Sequence, residues 1–94
     1  MKKVIYTSHL EFRLKKRGIP YDMPTRIYRD SNEKYYDNIA GHKIAVSRLD
    51  YYGREREVMI AYDEFEESIE IMTVHPLKWM QKQQRIKNRR WIKI

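Results

Sequence analysis

The chain has no cysteine, which excludes disulfides, zinc ribbons and thiol chemistry and predicts a reducing, cytoplasmic setting. No apolar run approaches the roughly 18 residues of a membrane span, and Met1-Lys2-Lys3 leads into a strand-like segment without the apolar core of a secretory signal. Glycine and proline number three each, too few for a low-complexity linker, and the 94 residues contain no internal repeat. Such a length builds one modest core and leaves no room for separate catalytic and regulatory lobes.

Acid is missing from one region only. The net charge is +7, yet residues 1–77 carry thirteen basic and thirteen acidic side chains and balance to zero. The whole excess lies in the last seventeen residues, as Lys78, Lys82, Arg85, Lys87, Arg89, Arg90 and Lys93. Trp79, Trp91, Gln81, Gln83, Gln84 and Asn88 are interleaved with them, adding stacking surfaces and amide donors, a mixture that favours RNA or an acidic protein partner. The same tryptophans could instead dock on the core. We therefore divide the chain into a domain over 1–77 and a basic, helical extension over 78–94.

Hydrophobic periodicity predicts the elements. Lys3 to Thr7 reads as a short strand, and Leu10 to Arg17 as a helix. Ser8 with Glu11 three residues on forms a capping box, and Gly18 followed by Pro20 supplies the stop. A second helix starts at Asp22, where Met23 and Ile27 recur at four-residue spacing, and ends near Asp30-Ser31-Asn32. Period-two strands follow: one at Tyr35-Tyr36, one over His42–Tyr51, one over Arg54–Tyr62 and one over Ser68–Val74. Turns fall at Asn38–Gly41, at Gly53 and in the acidic segment 63–67. The fold class predicted is α+β, a short N-terminal strand and two short helices packed on a mainly antiparallel sheet of about four to five strands. The other face of that sheet stays open unless the tail or a partner covers it.

The residues with chemistry begin on the first helix. At about 100° per residue, His9, Arg13 and Arg17 form a stripe bordering Leu10 and Leu14, while Glu11 and Lys15 lie opposite. A stripe beside the core can look into a groove, where forked guanidiniums bind a phosphate bidentately. Either arginine could equally pair with an acid on a neighbouring strand. His9 offers an imidazole for proton transfer or a contact at the helix start. His75 ends the last strand beside Pro76 and Lys78, in reach of the same groove, as a general acid or base or as a side chain that Pro76 merely orients. Arg48 shares a strand face with Ile44 and Val46, so it needs an anion or a carboxylate partner. Tyr62 has the parity of Val58 and Ile60 and could meet RNA or fill the core. His9, His42 and His75 are too widely spaced for a metal site, and Asp63, Glu64, Glu66 and Glu67 lack a calcium-loop pattern, so we expect no metal and no cofactor.

The run Thr7–Ile19, with its His-x-x-x-Arg-x-x-x-Arg-Gly-Ile, resembles the opening signature of a small prokaryotic family of uncharacterised domains. Tyr35-Tyr36-Asp37, the strand pair around Gly53 and Ile71-Met72-Thr73-Val74-His75-Pro76 resemble its later strands, over roughly residues 4 to 77. In element order that family is similar to the RelE/ParE superfamily of toxin–antitoxin toxins, including the BrnT-like branch. The resemblance implies a metal-independent endoribonuclease that cuts messenger RNA, often on the ribosome, and an antitoxin protein as partner. Arg13 and Arg17 match the family signature and, with His75 and His9, form the catalytic set expected here. Arg48, Lys78, Trp79, Lys82, Arg85, Arg89 and Arg90 complete the RNA-binding set. Two alternatives stand beside it: a non-catalytic nucleic-acid-binding module, and a protein-directed relative such as those acting on gyrase.

Overall fold

Thr7 separates the first strand from the first helix. In the computed structural model, which describes residues 2–94, strand β1 (Lys3–Tyr6) leads into helix α1 (Ser8–Arg17). Thr7 keeps an extended backbone because its N–H still bonds the Ile71 carbonyl, and its hydroxyl accepts from the Leu10 N–H at 3.2 Å. The cap expected at Ser8 therefore falls one residue earlier: either hydroxyl could cap, and the strand bond selects Thr7. Gly18 ends the helix in the left-handed region, φ 63°, as its position before Pro20 predicts. Helix α2 (Met23–Asp30) carries Pro24 in its first turn and buries Met23, Pro24 and Ile27.

Four longer segments build the sheet: β2 (Glu33–Asp37), β3 (His42–Tyr51), β4 (Arg54–Glu64) and β5 (Ser68–Pro76). Tyr52 and Gly53, at φ 55° and 80°, make the two-residue turn between β3 and β4. After helix α3 (Gln81–Lys87), strand β6 (Trp91–Lys93) completes a six-stranded sheet in the order β1-β5-β4-β3-β2-β6. Only the β1–β5 pair is parallel. The α+β class is as expected, with six strands where about four to five were expected, because part of the tail joins the sheet.

The sheet buries both faces. Leu10, Leu14 and Ile27 from the helices pack on Val58, Ile60, Ile69 and Ile71, and a second cluster on the other side joins Tyr35, Ile44, Val46, Met59, Leu77 and Trp91. Packing does not divide the molecule at residue 77, and the extension is not helical throughout: Trp91 is 1% exposed and stacks on Tyr35, with β6 paired to β2. An apolar sheet face needs a cover, and the indole supplies it.

One irregularity in β5 decides where the site lies. Ala61 pairs with Thr73 but Tyr62 pairs with Ile71, so Met72 is an extra residue, a β-bulge. Ile69, Ile71 and Val74 thereby share the helix-side core although strict alternation would separate them. Thr73 and His75 turn to the opposite face, above Ala61 and Met59.

Candidate functional site

Strand β1 pairs with β5 only as far as Ile71, and α1 lies against the strand. From α1, Arg13 donates through Nη1 to the Thr73 hydroxyl at 3.2 Å, with Arg17 one turn further along. His75 lies two residues beyond Thr73. Burial pushes its pKa below the ordinary imidazole value; a bond to the Pro76 backbone opposes this, and the charges of Arg13, Arg85 and Arg17 add to the depression. Arg13 of the helix stripe thus meets the strand end beside His75, and the charge of Arg17 acts on the same imidazole. Among the described residues no carboxylate lies within ion-pair distance of Arg13, Arg17 or Arg85.

Thr73 and His75 open onto a cavity of about 340 Å³ whose floor is Ile44, Met59, Ala61 and Thr73. Its far wall is the C-terminal segment. There Arg85 lies over the Trp91 ring, 5.5 Å from guanidinium carbon to ring centroid. Arg90 bonds both oxygens of Asp37 at 3.1 and 3.2 Å, so its charge is already matched. Asp37 also accepts from the backbone N–H groups of Ile39 and Ala40, both at 2.9 Å, and from the Trp91 indole at 3.2 Å. Burial alone would raise its pKa, but these donors outweigh it and hold the carboxyl at about 2.

The other expected residues are scattered. His9 is exposed on α1 and does not line the cavity. Arg48 is exposed and pairs with Glu55 at 2.7 Å. Lys82 bridges Glu33 at 3.0 Å and Glu57 at 2.6 Å, with only 15% of its side chain exposed. Lys78 and Trp79 are exposed, Trp79 at 92%, beside a second cleft of about 370 Å³ that Arg48, Arg54 and Arg56 also line. Arg89 is exposed in a left-handed conformation, its carbonyl accepting from Asn38. Tyr62 is core: it is 2% exposed, packs edge-on to Tyr28, and burial pushes its pKa to about 12.

Two participants escape a reading of the sequence. Thr73 reaches the site through the bulge, and His42 lines the same cavity with Nδ1 2.7 Å from Asp63 Oδ1. The acidic segment expected to form a turn thus supplies a partner for an imidazole, while Glu64 pairs with Lys2 and Lys43, which hold its carboxyl at about 2. No cluster of three or more His, Cys, Asp or Glu able to hold a metal occurs among the described residues, and no helix among them is long and apolar enough to cross a membrane.

Comparison with protein-family models, with curated proteins and with solved structures finds no match. The cleft nevertheless has a definite chemistry. Guanidinium groups without carboxylate partners converge on an imidazole kept neutral near pH 7, the set needed to hold an oxyanion and accept a proton beside it.

Proposed function

We propose that the protein is a RelE-like, metal-independent endoribonuclease acting on messenger RNA, free or ribosome-bound, in the cytoplasm, and that an antitoxin protein restrains it. The observation that carries this reading is the hydrogen bond of Arg13 to Thr73, two residues from His75, with the charges of Arg85 and Arg17 also acting on the imidazole. His75 takes the proton of a ribose 2′-hydroxyl; the 2′-oxygen bonds to the adjacent phosphorus as the bond to the 5′-oxygen breaks. The leaving oxygen takes a proton from solvent, and the products are a 2′,3′-cyclic phosphate and a 5′-hydroxyl. Arg13, Arg17 and Arg85 offset the charge growing on the phosphoryl oxygens.

Purified protein in a chelating buffer should cut a messenger RNA, alone or with ribosomes, and leave the cyclic phosphate. His75→Ala and Arg13→Ala should each lower cutting at least about a hundredfold while retaining the circular dichroism of the parent. Intact RNA under both conditions removes the enzyme. A non-catalytic RNA-binding module would then be favoured by Trp79, whose exposed indole beside a partly basic cleft suits base stacking.

A further inference from the structure

His42 and His75 line one cavity from its two ends. Lys43 pairs with Tyr62 and Met59 with His75, so the histidines are two strands apart and four residues apart along β4. Sheet spacings make this about 10 Å across and about 14 Å along the strands. Two groups so placed do not serve as acid and base at one phosphorus atom. Between them the floor is Ile44, Met59 and Ala61, an apolar surface suited to a flat ring.

The charges at the two ends differ in sign. Arg13 and Arg17 lie on the His75 side, Arg85 on the far wall acts on both His75 and Asp37, and the His42 end holds the two carboxylates Asp63 and Asp37. The cations nearby are matched: Arg90 to Asp37, and Lys43 to Glu64 at 2.8 Å. An ionised Asp63 can only accept, so the Nδ1 of His42 carries the proton, and in the neutral ring Nε2 keeps its lone pair. Among the described residues Nε2 has no hydrogen-bond partner.

From this polarity we infer that the cavity takes one nucleotide in a fixed direction, its phosphate at His75 and its base at His42, with His42 reading an amino group on the base. The inference rests on the phosphate-binding half of the proposed function. Asp63 is a positioning residue that sets the imidazole tautomer. Cytosine and uracil differ in one substituent on the edge concerned, an amino donor against a carbonyl acceptor, so the subsite distinguishes them.

Titration with cytidine 3′-monophosphate, uridine 3′-monophosphate and inorganic phosphate tests this without requiring turnover. The native protein should bind the cytidine compound about tenfold more tightly than the uridine compound. In His42→Ala the ratio should fall to near one with phosphate affinity unchanged, and Asp63→Asn should lower it several-fold in the same way. His75→Ala should weaken all three ligands and preserve the ratio. Equal affinity of the native protein for the two nucleotides overturns the inference, as does a ratio that His42→Ala leaves intact. Discrimination without RNA cleavage would remove the ribonuclease and leave the subsite standing; cleavage without discrimination would do the reverse.

Discussion

A half-buried imidazole that also feels nearby guanidinium charges binds its proton less tightly than one in water, and His75 is in that position. The unfolded chain therefore takes up this proton at a higher pH than the folded one, and folding is opposed as pH falls from the ordinary imidazole value toward the depressed one. The melting temperature of the native protein should drop over that window more steeply than that of His75→Gln, which has no proton to gain there. Parallel curves for the two proteins would show that folding does not depress the pKa of His75. At this scale the sequence was informative where neighbours in space are neighbours on one helix. Arg13 and Arg17 lie four residues apart, and that spacing already put them on a shared stripe. It was uninformative where partners come from distant segments: Lys82 meets Glu33 from 49 residues away and Arg90 meets Asp37 from 53, so both read as free cations and neither is.

Elements were legible through their period and their stop signals, as Gly18 and the turn at Gly53 illustrate. A bulge has no such signature, since the extra Met72 is defined only against the partner strand, and that one residue decides which face His75 occupies. The C-terminal segment misled for a related reason. Its cations suggested a solvated helix, whereas its position is set by Asp37, a carboxylate 2% exposed that joins the end of β2 to Arg90 and Trp91 of the tail. Replacing Asp37 with Ala leaves the Arg90 guanidinium, the Trp91 indole and two backbone N–H groups without their acceptor. The expected cost is about 3 kcal/mol, of the order seen when one member of a buried charge pair is removed. A Trp79→Phe background leaves Trp91 as the single fluorophore of its kind. There Asp37→Ala should shift the emission to the red as the indole meets water; unchanged emission would mean that β6 docks without the carboxylate.

For the molecule as a whole, composition overstates the surface available to a polyanion. The net charge of +7 arises from the tail, yet Lys82 and Arg90 are held by acids of the preceding segment, and Arg48, on β3, pairs with Glu55. The cations whose charges act on His75 come from opposite ends of the chain, Arg13 and Arg17 from α1 and Arg85 from α3. Binding of single-stranded RNA releases counterions, and every phosphate that the protein ceases to neutralise lowers the slope of log affinity against log salt by about 0.7. Arg13→Ala, Arg17→Ala and Arg85→Ala should each reduce the slope by that amount, and Arg48→Ala should leave it unaltered. Lys82→Ala should act on folding instead, lowering the melting temperature because Glu33 and Glu57 then face each other without the ammonium between them. If Arg48→Ala and Arg85→Ala reduced the slope equally, RNA would be following the basic surface at large, and the converging arginines would have no special claim on its phosphates.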